Sequence, residues 1–226
     1  MIEFFKFLID FVLHIDKHLF EIVTEYQTGA YLILVIIVFC ETGLVATPFL
    51  PGDSLLFTAG TIAAMEGNPL NIYLLVVLIF CAAFAGDNTN YWIGRLIGRK
   101  VYEKNYKLIR REYLDKTHGF YEKHGGKTLV IARFMPILRT FAPFVAGVGT
   151  MKYPKFISFS LLGNLIWVNL FCFVGYLFGN IPFIKKNFSV VVLTIIFISF
   201  LPPIIALVKH KMSKKKQAVT NPQSEQ

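Results

Sequence analysis

At 226 residues, with 55% hydrophobic and 15% aromatic side chains and a mean hydropathy of +0.57, the chain is too apolar for a soluble domain of its size. Several apolar runs approach the ~20 residues needed to cross a bilayer, so it reads as an all-α, multi-pass membrane protein. The net charge of +9 does not point to nucleic acid, because the basic residues lie between membrane segments and in the tail, where the positive-inside rule and anionic lipid account for them.

The three cysteines, Cys40, Cys81 and Cys172, sit in apolar runs without metal spacing. They read as small packed hydrophobes, and neither a disulfide framework, a metal nor a cofactor is expected.

Residues 1–27 form the first unit. Glu3, Lys6, Asp10, His14, Lys17 and Glu21 fall within an arc of roughly 80° at helical spacing, and the rest is mostly Phe, Leu, Ile and Val. Such a helix lies in the membrane interface rather than crossing it, and no cleavage pattern follows a basic start. The membrane domain is assigned to residues 28–208. Its first part, about 28–65, holds an apolar run to residue 46, the stretch E-T-G-L-V-A-T-P-F-L-P-G-D over 41–53, and a second run of only about a dozen residues. A dozen helical residues rise about 18 Å, too little for a core of about 30 Å. Pro48, Pro51 and Gly52 therefore mark the broken tip of a re-entrant hairpin, tolerated at depth only where it is buried in protein or lines a wet cavity.

Residues 72–97 can span, carrying Asp87, Asn88 and Asn90 at depth, and Gly94-R-L-I-Gly98 permits close helix approach. The loop 98–127 and its flanks are strongly basic and are assigned to the cytoplasm. Residues 128–151 are apolar but interrupted by Arg133, Pro136, Arg139, Pro143, Gly147 and Gly149. Residues 156–178 span with Asn164 and Trp167, residues 189–208 span again, and 209–226 form a basic, disordered cytoplasmic tail.

A crossing count orders these pieces. A cytoplasmic loop and a cytoplasmic tail require an even number of crossings between them, and 128–208 offers three apolar segments. The one with two arginines and two prolines fails to cross, so it is a second re-entrant hairpin, at about 128–151, entering from the cytoplasm while the first enters from outside. Two opposed hairpins match the inverted-repeat logic of transporters. The N-terminal unit, with two lysines against five acids, then lies outside, whereas Lys185 and Lys186 on that face run against the scheme; in the alternative, 28–48 crosses fully, only 51–65 is re-entrant, and the N-terminus lies inside.

Charge at membrane depth costs about 2.5–3.5 kcal/mol per group on insertion scales, so Glu41, Asp53, Arg133 and Arg139 are the functional candidates. Arginine presents a planar fork that matches phosphate oxygens and keeps its charge when desolvated, so Arg133 and Arg139 are candidates for a phosphate headgroup. In an unbroken helix they would point about 120° apart, and a break at Pro136 can turn both into one cavity. Desolvation favours a neutral carboxyl and a neighbouring guanidinium a charged one, so Glu41 and Asp53 are proton-responsive countercharges. The structural alternative is an ion-pair network with no transport role. Asp87 is read as a packing or ion-pair residue, Asn164 as an interhelical hydrogen-bonder and Trp167 as interfacial packing. The histidines form no catalytic constellation.

The runs 41–60, G-D-N-T-N-Y-W-I-G-R-L-I-G-R from Gly86, and H-G-G-K-T-L-V-I-A-R-F-M-P-I-L-R-T-F-A-P-F-V-A-G from His124 resemble the DedA family, also called SNARE-associated or VTT-domain membrane proteins. The resemblance covers all but the tail. It implies a bacterial cytoplasmic-membrane protein with opposed re-entrant hairpins that flips or scrambles phosphorylated lipid such as undecaprenyl phosphate or phospholipid; the sequence leaves open whether it forms a homodimer. It also implies that Glu41, Asp53, Arg133 and Arg139 are its essential residues. A proton-coupled transporter of small ions or solutes is the alternative. A lipid phosphatase is disfavoured, because the P-S-G-H and S-R-x-x-x-x-x-H signature of membrane phosphatidic-acid phosphatases is missing, and no enzyme is expected.

Overall fold

A computed structural model describes residues 25–44, 52–68, 70–104, 125–149 and 151–179, with isolated positions on either side. The N-terminal interfacial helix, the tip prolines Pro48 and Pro51, most of the basic loop, the last span and the tail lie outside the described residues.

The described residues are helical, without strands. Helix α1 (Ala30–Gly43) is rich in β-branched side chains of middling helix propensity, so packing rather than propensity holds it. Ala30, Leu34, Val38, Glu41 and Thr42 form its buried face at spacings of three and four, while Leu32 and Ile36 are exposed. It ends where Leu44 turns extended. Helix α2 (Gly52–Ala63) is buried from Gly52 to Ile62 on all sides, with Asp53, Ser54, Thr58 and Thr61 among the buried side chains. Fourteen and twelve residues rise about 21 and 18 Å, both short of a bilayer core.

Helix α3 (Ile72–Lys104) starts on a side-chain cap: Asn71 Oδ1 accepts the backbone N–H groups of Tyr73 at 2.9 Å and Leu74 at 3.2 Å. The Tyr31 hydroxyl accepts the Asn71 backbone N–H at 2.5 Å, tying the start of α1 to the start of α3. Helix α4 (Lys127–Ala132) stops at a turn over 133–135, where Met135 is extended as the residue before a proline prefers, and α5 (Pro136–Val148) begins with Pro136 in its first turn. Pro136 thus separates two helices rather than kinking one. Helix α6 (Tyr153–Phe178) begins three residues before the expected position 156, because Pro154 fits a first turn. Among the described residues, two helical stretches are long and apolar enough to cross a membrane, Ile72–Ile97 within α3 and Tyr153–Phe178.

The short helices distribute themselves over these two. Helix α1 packs on α3 and α2 on α6; α4 packs on α6 and α5 on α3; and α3 meets α6. In each broken pair the first arm lies on the long helix that follows it in sequence, and the second arm on the other.

Both second-arm crossings are built the same way. A Cβ on Gly60 would strike the Cys172 carbonyl, and one on Gly175 the Phe57 carbonyl, so α2 and α6 touch backbone to backbone. A Cβ on Gly94 would strike the Phe144 carbonyl, and one on Gly147 the Tyr91 carbonyl, so α3 and α5 do too. In all four cases the opposed carbonyl belongs to the residue three before the partner glycine. Apolar packing fills in around the crossings, with Trp167, Val168 and Cys172 joining α1 and α2 on one side and Tyr91 stacking on Phe156 at 4.3 Å on the other.

Candidate functional site

Five ionisable side chains are buried where the breaks meet the long helices: Glu41, Asp53, Asp87, Arg133 and Arg139, each at most 4% exposed. Sequence position alone divides them by helix end. Asp53 is in the first turn of α2, where the helix dipole favours an anion, and Arg133 follows the last residue of α4, where it favours a cation. Glu41 is in the last turn of α1 and Arg139 at the end of the first turn of α5, both on the unfavourable end.

The two misplaced charges pair with each other. Arg139 Nη2 donates to Glu41 Oε1, and Nη1 donates to Asp53 Oδ1 at 2.6 Å, so one guanidinium fork spans both acids of the first broken pair. Gly52 makes room for this, since a Cβ there would run into the Glu41 carboxylate. Behind the pair, Asn90 Nδ2 donates to the Thr140 carbonyl at 2.6 Å and the Thr42 carbonyl at 3.1 Å, clasping α1 and α5 to α3.

Arg133 has a different setting. Its Nη2 donates to Asp87 Oδ2 at 2.9 Å and to Asn164 Oδ1. The same Asp87 oxygen accepts Ser160 Oγ at 2.7 Å and Asn164 Nδ2 at 2.8 Å. The Asn164 amide therefore serves both members of the pair, acceptor toward Arg133 and donor toward Asp87. Asp87 Oδ1 and Arg133 Nη1 are buried without a hydrogen-bond partner among the described residues.

Trp167 lies between the two assemblies. Its indole N–H donates to Asp53 Oδ1 at 2.8 Å, and its ring centroid is 5.3 Å from the Arg133 guanidinium carbon and 5.4 Å from that of Arg139. A desolvated cation–π contact of this kind is worth about 2 kcal/mol. Both arginines also line one cavity, with Asp87, Ser160, Leu129 and Pro143 among its walls. Its volume is about 10 Å³, room for about one water and not for a phosphate group.

The structure thus brings Glu41, Asp53, Arg133 and Arg139 together, but gives both acids to Arg139 and supplies Arg133 from Asp87. Asn164 joins Arg133, Gly52 adjoins Glu41, and Pro136 opens α5. Interfacial packing is corrected for Trp167: it is fully buried and touches both arginines, because its face of α6 turns inward. Ser160, Asn164 and Trp167 stand at i, i+4 and i+7 on that face, a polar stripe readable in advance. Asp87, Asn90 and Gly94 make a similar stripe on α3.

Residues 50–177 match the VTT domain family. Over 213 residues the chain is 55% identical to protein DedA of Escherichia coli (strain K12), covering 94% of this chain and 97% of that protein. It is 38% identical over 190 residues to an uncharacterized membrane protein of Mycobacterium tuberculosis (strain ATCC 25618 / H37Rv), covering 84% and 83% of the two chains. Inner membrane protein YqjA of Escherichia coli (strain K12) is 35% identical over 159 residues, 69% of this chain and 70% of that one. No solved structure is a significant match.

Proposed function

The chain belongs to the VTT-domain, or DedA, family of bacterial membrane proteins, and from that premise we propose that it translocates phosphorylated lipid, undecaprenyl phosphate or phospholipid or both, across the cytoplasmic membrane. The observation that carries the reading is the meeting of two buried arginines on one indole and one cavity, between helices too short to cross a bilayer. Such groups are costly in a membrane and suit a phosphate headgroup. In this reading α1–α2 and α4–α5 are opposed re-entrant hairpins, and the matched glycine crossings of α2 on α6 and α5 on α3 support an inverted repeat. The headgroup passes between the hairpins while its tail stays in the bilayer, and the C-terminal tail is cytoplasmic.

The geometry adds a requirement. Arg139 is held by two carboxylates and Arg133 by one, and the cavity fits only a water. A phosphate therefore binds by displacing carboxylates as the arms part. Three acids against two arginines give 2 − 3 = −1 when all are ionised, so uptake of one proton neutralises the cluster. That imbalance supports proton coupling, and is also what favours the second reading, a proton-coupled transporter of small ions or solutes.

Purified protein in liposomes, given labelled undecaprenyl phosphate or phospholipid with and without a pH gradient, tests both. Lipid movement that falls sharply in Arg133→Lys and Arg139→Lys is expected. Full transport by both lysine variants would overturn the arginine site, and solute flux without lipid movement would favour the second reading.

A further inference from the structure

We infer that Trp167 is a positioning residue that couples the two ion-pair assemblies, so that a change at either arginine is felt at the other. Three contacts converge on this one side chain. Its ring is shared by Arg133 and Arg139, and its N–H shares Asp53 Oδ1 with Arg139 Nη1. The indole is thus a contact common to both groups. It is fully buried on the long helix α6, where it also packs on Phe171 at 6.4 Å.

Arg139 holds Asp53 in place, and Asp53 orients the indole through its N–H. An indole so oriented presents its face to the Arg133 guanidinium. When Arg139 lets go of Asp53, the acceptor shifts, the ring tilts, and Arg133 loses part of its stacking surface. Influence runs back the same way, because loss of the stacked Arg133 frees the ring to move against Asp53. Coupling of this kind is reciprocal by thermodynamic linkage. It gives the first broken pair, which holds Asp53, a means of reporting to the second, which holds Arg133, through a helix belonging to neither.

The consequence for transport rests on the function proposed above, whereas a spectroscopic test does not. The chain has two tryptophans, and Trp92, about half exposed beside Arg95, is outside the site. In a Trp92→Phe background, emission excited at the red edge of the near-ultraviolet, beyond the absorption of the ten tyrosines, reports Trp167 alone. Arg133→Lys and Arg139→Lys, made singly and together in full-length protein in nanodiscs, complete a cycle. Each single variant is expected to shift the Trp167 signal, because an ammonium cannot stack flat on the ring. The double variant is expected to shift it by clearly less than the sum. Additive shifts, or silence in either single variant, would overturn the coupling, and neither result bears on whether lipid is moved.

Ser160→Ala provides a variant that touches neither arginine directly. It removes one of three donors to Asp87 Oδ2 and is expected to move the Trp167 signal slightly in the direction of Arg133→Lys. Should the lysine variants fail to fold, this variant decides: a shift supports the coupling, and an unchanged signal overturns it. For transport, Trp167→Phe keeps a ring face and is expected to retain more activity than Trp167→Leu, which keeps neither face nor donor. Equal activity of the two against an otherwise active protein would also overturn the assignment.

Discussion

The Arg139 and Arg133 assemblies use the same chemistry to opposite ends. Arg139 reaches from α5 to two acids on separate short helices, and both it and Glu41 stand at helix ends that disfavour their charge. Arg133 stands at a favourable end and binds one acid, which two donors from α6 also hold. The first carries excess negative charge and joins the two broken pairs; the second is balanced and joins a broken pair to the long helices. Local preference is satisfied in the second assembly, the anchor, and violated at Arg139 and Glu41 of the first, the junction.

The largest effect should come from the anchor. Asp87→Ala strands Arg133 as a buried unpaired charge and is expected to cost about 3–5 kcal/mol, measured by reversible unfolding in mixed micelles. Glu41→Ala should cost distinctly less, because Arg139 keeps Asp53; an equal loss would erase the distinction. Next, Gly175→Ala and Gly147→Ala should each cost about 1–3 kcal/mol by forcing backbones apart, and by similar amounts if the crossings are equivalent. Gly163→Ala, whose Cβ would meet Val130 Cα at an ordinary 3.4 Å, should be nearly neutral in the same assay.

Smaller in stability, but sharper for function, is Glu41→Gln. It keeps an acceptor for Arg139 and should cost about 1 kcal/mol while removing most lipid movement in liposomes. Unimpaired movement would transfer the functional role to Asp53. Smallest is Ser160→Ala, at about 0.5–1.5 kcal/mol, since Asp87 Oδ2 keeps two donors. A loss as large as that of Asp87→Ala would place the anchor on α6 instead of α4.

Hydropathy makes the helical membrane class legible, and the charges at depth mark the residues that meet in the structure. Partnering is another matter. Arg133 and Arg139 lie six positions apart, and which acid each takes depends on α4 packing against α6 while α5 packs against α3, a tertiary choice with no local signal. Trp167 misleads for a specific reason: tryptophan in a span suggests the headgroup boundary, and only the company of Ser160 and Asn164 on the same face argues for the interior. Asn90 is similar, a polar residue visible at depth whose clasp on two carbonyls follows from the end of α1 and the start of α5 both lying beside α3.

The glycine crossings limit how this molecule can move. Where two helices rest carbonyl against Cα, a slide of one residue along either axis replaces a glycine by a neighbour whose Cβ has nowhere to go. Rotation about the contact point meets no such obstacle. Each crossing therefore behaves as a pivot rather than a rail, and any parting of the second arms is a hinged rocking, not a shear.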